Sequence, residues 1–153
     1  VVAGMPLDSE PAHLGLMRLK ADGSTELNRL AVIGEFPRSD PARAGLMRRL
    51  SVHTTGDHTQ TPFAQAIAVT DWSGGQTRRF DFGADHVVDE MVYVAKPGAR
   101  SESDAWLIGP SLNLTERVTE LHVLDIADLE AGPVATWRAD VALPAAFHGI
   151  WAG

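Results

Sequence analysis

Short stretches in which apolar and polar residues alternate, separated by turn-forming residues, constrain the fold of this sequence more than any other feature. Residues 14–19 and 27–33 flank an Ala-Asp-Gly-Ser turn at 21–24, and residues 64–71 and 76–82 flank a Trp-Ser-Gly-Gly turn. Alternation places successive side chains on opposite faces of an extended chain, so each pair predicts a β-hairpin. No segment carries a convincing helical pattern of apolar residues.

The rest of the sequence leads to the same fold class. Residues 36–41 are expected to be irregular because they contain two prolines, and one helical turn is expected at 125–129. His122 is expected to point outward from a strand in a structural role. About eight to ten short strands with frequent turns predict an all-β fold. Further strands are expected, in chain order, at 46–54, 91–95, 105–109, 120–126 and 134–141.

Composition limits the classes of function that need to be considered. The chain has 153 residues, enough for one domain with a hydrophobic core. Its 20 acidic residues outnumber its 13 basic ones, giving a net charge of −7, whereas nucleic-acid binding needs a basic surface. The absence of cysteine excludes disulfides, thiolate catalysis and cysteine-ligated zinc. No apolar run approaches the roughly 20 residues of a membrane-spanning helix. The expected location is the cytoplasm, and peripheral contact with a membrane is left open.

The histidines are the first candidates for a functional site. None of the six is followed two residues later by an acidic residue, and no His-Glu-x-x-His motif, Gly-x-Ser-x-Gly motif or phosphate-binding loop occurs. His148 stands out because it lies between Phe147 and Gly149 in an apolar stretch after Pro144. A buried imidazole needs a partner for each ring nitrogen, and one such partner is a metal ion.

Glu35 and Glu90 are the second pair of candidates. Each lies among apolar residues next to a predicted strand. One interpretation is a solvated residue at a strand edge. The other is a carboxylate that accepts the N–H of a metal-bound imidazole, which fixes the tautomer of the ring and raises its basicity. The pattern of residues alone leaves both interpretations open.

Four segments together resemble the carotenoid cleavage oxygenases, a family that includes stilbene-cleaving enzymes and a retinoid isomerase. Residues 34–38 (Gly-Glu-Phe-Pro-Arg) resemble a Glu-Phe/Leu-Pro-Arg segment of the family, and residues 90–99 (Glu-Met-Val-Tyr-Val…Pro-Gly-Ala) resemble its Glu-Pro-x-Phe-Val…Pro-Gly-Ala stretch. Residues 120–135 are similar to its last long pair of strands, and residues 143–151 to its closing Pro-x-x-Phe-His-Gly segment. The resemblance covers residues 14–151.

This resemblance implies a seven-bladed β-propeller with one ferrous ion, Fe(II), on its axis, held by four histidines that three glutamates orient. Residues 1–153 would be the C-terminal part of that single domain, with the remainder of the propeller outside this sequence. His148 would be the last iron ligand, Glu90 would orient it, and Glu35 would orient a histidine outside the sequence. Phe147 and Trp151 are candidates for the substrate lining, with plain packing as the alternative.

The implied reaction is cleavage of a conjugated carbon–carbon double bond with O₂ to give two carbonyl products. The substrate would be a carotenoid, an apocarotenoid or a stilbene, and the chain would need the missing N-terminal part of the propeller to act. Two alternatives stay open: a metal-free β-domain that binds a ligand or partner, and an isomerohydrolase that uses the same iron site.

Two positions depart from the family pattern. Met91 stands where proline is usual after the glutamate. Residues 102–106 (Glu-Ser-Asp-Ala-Trp) replace a Glu-Asp-Asp-Gly stretch, so the local turn geometry is in doubt because alanine resists a positive φ.

Overall fold

The chain is almost entirely β-structure, which confirms the predicted fold class. The computed structural model describes residues 12–57, 63–145 and 148–152. Within these ranges it has eleven strands and two short 3₁₀ helices, Pro41–Arg43 and Ile126–Ala131. The strands are β1 His13–Leu19, β2 Thr25–Ile33, β3 Glu35–Arg38, β4 Leu50–Thr55, β5 Ala66–Asp71, β6 Gln76–Asp81, β7 His86–Val88, β8 Val92–Ala95, β9 Ala105–Asn113, β10 Val118–Asp125 and β11 Pro133–Arg138.

Both hairpins expected from the sequence are present, and each turn is fixed by an aspartate. Strands β1 and β2 pair around a turn in which the Asp22 carboxylate accepts the Ser24 N–H at 2.9 Å. Strands β5 and β6 pair around a turn in which Asp71 accepts the Ser73 N–H at 3.0 Å. An aspartate that bonds the backbone two residues later imitates a backbone turn, so the turn residues determine both registers.

Apart from β1 and β2, the strands form two antiparallel sheets. The four-stranded sheet has the order β3-β4-β5-β6. The five-stranded sheet has the order β11-β10-β9-β7, and β8 also pairs with β9. Strand β7 pairs with residues 111–113 of β9, whereas β8 pairs with residues 105–108. Residues 89–91 therefore lie in a break between two strands that share one partner.

The two larger sheets pack face to face around the hydrophobic core. Along β9 every second side chain is buried, from Ala105 and Leu107 to Asn113. The opposite face of the five-stranded sheet is also apolar, and Leu121 and Trp137 on it are 40% and 62% exposed. The core consists of Leu50, Val52, Ile67 and Val69 of the four-stranded sheet with Val88, Met91, Tyr93, Ala105, Leu107, Leu124, Ile126 and Leu129.

Two expectations from the sequence are wrong. Residues 35–38 form strand β3 although they contain Pro37, because β3 is an edge strand, where the missing N–H is tolerated. His122 does not point outward: it is 3% exposed and lies on the inner face of β10. Alternation predicts the wrong face here because both faces of this sheet carry apolar residues, so polarity does not mark the outer one.

The departure at Ala105 has no effect on the turn before it. Ala105 is the first residue of β9 and is completely buried. Among the described residues, the non-glycine residues with positive φ are Phe36 and Arg117, so Ala105 adopts an ordinary strand conformation. No helix in the described part of the chain has the length and apolar character needed to cross a membrane.

Candidate functional site

Folding brings Glu90 and His148 together from distant parts of the sequence. His148 Nδ1 lies 3.5 Å from Glu90 Oε1, and the Gly149 N–H donates to Glu90 Oε2 at 2.9 Å. The Glu90 side chain is only 4% exposed, whereas the His148 ring is 74% exposed. A buried carboxylate thus anchors the segment that follows β11, and the imidazole stands at the surface above it.

The break between β7 and β8 sets the position of Glu90. Gly109 of β9 passes directly beneath this break: a Cβ added to Gly109 would lie 2.7 Å from the Glu90 carbonyl oxygen and 2.8 Å from Met91 Cα. The Glu90 N–H donates to Asp89 Oδ1 at 2.9 Å. Met91, which stands where the family has proline, is 1% exposed and fills the core. Glycine at position 109 is therefore what lets the Glu90 backbone approach the sheet so closely.

Arg38 forms a two-point ion pair with Glu90. Its Nε donates to Oε1 and its Nη2 to Oε2, both at 2.7 Å. Burial alone would raise the pKa of the Glu90 carboxyl, but Arg38, the Gly149 N–H and His148 outweigh burial and lower this pKa below its usual value. Glu90 is therefore ionised at neutral pH and can accept an imidazole N–H.

Strand β3 also contacts the histidine directly. The Phe36 and His148 rings meet edge to face with centroids 5.9 Å apart. Phe36 has φ of 53°, and the pairing of β3 with β4 is irregular between Glu35 and Arg38. Such a φ is uncommon for a bulky residue and occurs here within an irregular strand, next to the candidate site.

Glu35 lies in the same strand but does not join the pair. It is exposed at the edge of the four-stranded sheet, and its carboxylate makes no hydrogen bond or ion pair within the described residues. Its backbone carbonyl accepts the Thr54 hydroxyl at 3.2 Å. The structure thus brings Glu90 and His148 together and leaves Glu35 facing outward.

An apolar groove begins beside His148. It has a volume of about 200 Å³ and is lined by Glu90, Val92, Ile108, Leu121, His148 and Trp151 among others. Trp151 borders the groove and is 56% exposed, while Phe147 lies outside the described residues. A larger polar cleft of about 530 Å³, lined by Arg43, Arg49, Arg100, Asp71 and Glu102 among others, lies elsewhere and includes neither Glu90 nor His148.

The other described histidines are engaged in internal hydrogen bonds or lie apart. The His53 ring is buried; its Nδ1–H donates to the Thr54 carbonyl and its Nε2 faces the Thr70 hydroxyl. His122 contacts the Ser111 and Thr136 hydroxyls through its two nitrogens. Burial lowers the pKa of both rings. In the described ranges no group of three or more His, Cys, Asp or Glu residues is arranged to hold a metal ion.

His148 differs from these histidines in a way that suits one ligand of a larger metal centre. Its Nδ1 faces a carboxylate, and its ring is otherwise exposed. A neutral imidazole with its N–H directed at a carboxylate presents the other nitrogen to a metal. The donor chemistry of His148 therefore fits one ligand of such a centre.

Comparison with known proteins identifies the family. Residues 6–153 match the family model described as "Retinal pigment epithelial membrane protein". The chain belongs to this family, that of the carotenoid cleavage oxygenases.

Other carotenoid cleavage oxygenases match over most of this chain but over a small part of their own length. The apocarotenoid-15,15'-oxygenase of Synechocystis sp. is 31% identical over 120 residues, which cover 77% of this chain and 24% of that protein. The lignostilbene-alpha,beta-dioxygenase isozyme III of Sphingomonas paucimobilis is 27% identical in an alignment of 168 positions, gaps included, that covers 99% of this chain and 34% of the relative. The matched part of this chain therefore spans 24% of one relative and 34% of the other.

A solved structure of this carotenoid cleavage oxygenase family has the same fold. Cobalt-substituted Synechocystis apocarotenoid oxygenase superposes with a TM-score of 0.87 at 26% identity, covering 95% of this chain and 31% of that chain. The prediction that the chain forms blades of a β-propeller is confirmed.

Sequence reasoning selected Glu90 and His148 but missed Arg38 and Gly109. The sequence presents Arg38 only as a member of a motif, because its partner Glu90 is far away in the sequence and no alternation pattern reveals a pairing between sheets. Gly109 offered a usable signal, since a glycine inside a strand often marks a close approach of another backbone.

Proposed function

We propose that this chain is the C-terminal part of a non-haem Fe(II) dioxygenase, in which His148 is an iron ligand and Glu90 orients it. The observation that supports this proposal best is the pairing of a buried, ionised glutamate with an exposed imidazole that is distant in sequence. Glu90 accepts the Nδ1–H of His148, keeps the ring in one tautomer and directs Nε2 away from the protein. Bound ferrous iron would supply the activation of O₂ at this site.

Glu35 has the second orienting role in this proposal. Its carboxylate is exposed at the edge strand β3, close in sequence to Phe36 and Arg38, which both contact the Glu90–His148 pair. We propose that it accepts the N–H of a ligand histidine from the remainder of the propeller. An exposed carboxylate with no partner in the described residues is free for that bond.

The proposed reaction is oxidative cleavage of a conjugated carbon–carbon double bond to give two carbonyl products. The similar proteins are named for apocarotenoid and lignostilbene, which share an extended conjugated alkene. The groove beside His148 has apolar walls formed by Val92, Ile108 and Leu121. Such walls exclude water and hold an apolar chain. Trp151 borders this groove and is proposed to line the substrate path, as is Phe147.

The test uses the complete protein, with His148→Ala and, as a control, His13→Ala in the exposed strand β1. We expect wild type and the control to contain about one iron per polypeptide and His148→Ala to lose most of it, because removing one of a few protein ligands weakens metal binding severely. Unchanged iron content in His148→Ala would contradict the assignment and favour a metal-free binding domain.

The reaction type is tested with ¹⁸O₂ and a panel of apocarotenals and stilbenes. Both carbonyl products should carry label from O₂ if the protein is a dioxygenase. A conjugated polyene ester in the same panel tests the alternative. Its conversion to an alcohol that carries oxygen from water, with the carbon chain intact, would indicate an isomerohydrolase on the same site. The proposed cytoplasmic location is checked by fractionation of cells that produce the protein.

A further inference from the structure

We propose that Arg38 is a positioning residue of the iron site: it fixes the Glu90 carboxylate and the backbone at Gly149 in one arrangement, and so sets the orientation of His148. The inference rests on the function proposed above. It assigns a role to a residue that touches neither metal nor substrate, and it makes β3 a strand that serves two ligand histidines.

The polar contacts of Glu90 show why Arg38 controls the orientation. Arg38 Nε and His148 Nδ1 share Oε1, at 2.7 and 3.5 Å. Arg38 Nη2 and the Gly149 N–H share Oε2, at 2.7 and 2.9 Å. Because the guanidinium is planar and binds both oxygens, the carboxylate cannot rotate without breaking both ion-pair contacts. The oxygen that faces His148 is thereby held in place.

Arg38 also contacts the histidine segment itself. Its Nη2 donates to the Gly149 carbonyl oxygen at 3.2 Å, and the same residue's N–H donates to Glu90. Both backbone polar groups of Gly149, the residue after His148, are therefore held, the N–H by Glu90 and the carbonyl oxygen by Arg38. A guanidinium that bridges the carboxylate and this backbone sets the distance between Glu90 and His148. A lysine ammonium could contact one of these groups but could not bind both carboxylate oxygens side by side as the planar guanidinium does.

The conformation of β3 is suited to this role. Phe36 has the unusual positive φ, the strand register is irregular on either side of it, and its ring lies against His148. Phe36 and Arg38 thus both reach the same site from one short strand. Strand β3 also carries Glu35, the second proposed orienting carboxylate. A change at Arg38 therefore alters the strand that carries Glu35 as well.

Lysine and glutamine variants of Arg38 in the complete protein, loaded with ferrous ion, test the inference. The matched control is Arg49→Gln: Arg49 also makes a two-donor ion pair, with Asp71 Oδ2 at 2.7 and 2.9 Å, but lies away from Glu90 and His148. We expect Arg38→Gln to lose iron to a chelator about ten- to a hundred-fold faster than wild type, which is the usual effect of removing a residue that supports a metal ligand. Arg38→Lys should be intermediate, and Arg49→Gln should stay within about twofold of wild type.

A purely structural role is separated by comparing thermal unfolding with and without iron. Loss of an ordinary ion pair lowers the midpoint equally in both forms. Loss of a positioning residue also shrinks the increase in midpoint that ferrous ion produces, because ligand binding stabilises the folded state in proportion to its affinity. Arg38→Gln should show this smaller increase and Arg49→Gln should not. If Arg38→Gln fails to fold, Arg38→Lys provides the same comparison.

Two results would overturn the inference, and they have different consequences. If Arg38→Gln and Arg38→Lys release iron at the wild-type rate while His148→Ala loses iron, Arg38 has no positioning role and the proposed function stands. If His148→Ala keeps its iron, the proposed function fails, and the role of Arg38 fails with it.

Discussion

At the scale of single residues, Glu102 is a buried carboxylate that joins the two large sheets outside the candidate site. It is 8% exposed, and its oxygens accept the backbone N–H groups of Arg49 and Leu50 at 2.9 to 3.1 Å. We expect Glu102→Ala to lower the free energy of unfolding by about 2 kcal/mol, because it leaves the buried Leu50 N–H and the partly buried Arg49 N–H without a charged acceptor. Urea unfolding of the complete protein measures this. Glu26→Ala, which removes only an exposed ion pair with Lys20, should change stability by less than about 0.5 kcal/mol.

Two buried histidines predict how stability depends on pH. Burial lowers the pKa of His53 and His122 below the ordinary value of 6.5, although Glu120 partly opposes this for His122. As the pH falls through 6.5, the unfolded chain therefore takes up protons that the folded rings resist. The two rings therefore make their full contribution to the free energy of unfolding above that pH, and this contribution is lost as the pH falls below it.

We accordingly expect the free energy of unfolding of the complete protein to decrease between about pH 7.5 and about pH 5.5. His53→Gln should flatten this slope, since a glutamine takes up no proton in either state. Urea unfolding across this range is the measurement, and an unchanged slope in the variant would contradict the assignment.

Single residues also show where sequence analysis succeeds and where it stops. Glu90 and His148 were found because an acid and an imidazole in apolar surroundings need partners. Arg38 could not be found in that way, because an arginine in a polar position is satisfied by water and gives no sign of a distant carboxylate. His122 was placed on the wrong face because both faces of its sheet are apolar in the folded chain.

At the scale of elements, the break between β7 and β8 depends on Gly109. We expect Gly109→Ala to lower the stability of the complete protein by about 1 to 3 kcal/mol, since the added Cβ overlaps backbone atoms that cannot move aside cheaply. It should also weaken iron retention by shifting Glu90. The control is Gly15→Ala in β1, where the nearest atom to the added Cβ would be a side-chain carbon of Leu27 at 3.5 Å, an ordinary contact. Equal effects of the two substitutions would show that the break tolerates a Cβ.

Elements were predictable where local chemistry determined them. The β1–β2 and β5–β6 hairpins followed from their turn residues, because an aspartate or a glycine fixes a turn without outside help. Strand β7 was missed because its three residues, 86–88, are too few to establish a period. Strand β3 was missed because proline normally interrupts a strand, and the edge position that tolerates it is a property of the assembled sheet.

At the scale of the whole molecule, the exposed apolar outer face of the five-stranded sheet bears on whether the chain associates in solution. Leu121 and Trp137 pair across β10 and β11 on this face, and Trp151 is 56% exposed beyond the groove. In the complete propeller we propose that the remainder of the protein covers this face and closes the open side of the groove beside His148, since the relatives are about three to four times longer than the matched region. By itself, a contiguous apolar sheet face next to the edge strand β11 promotes association.

The 153-residue chain produced alone is therefore expected to associate rather than to remain a monomer of 16.4 kDa. Sedimentation velocity over a range of concentrations measures this. Leu121→Lys combined with Trp137→Lys should shift the distribution toward monomer, because charges on the face oppose contact between copies. The same pair in the complete protein should instead lower stability, since both lysines would then be buried against the covering part. If the unmodified chain were a monomer at every concentration, the proposal that this face is normally covered would be contradicted. A chain that stays monomeric with this face exposed to water would need no partner to cover it.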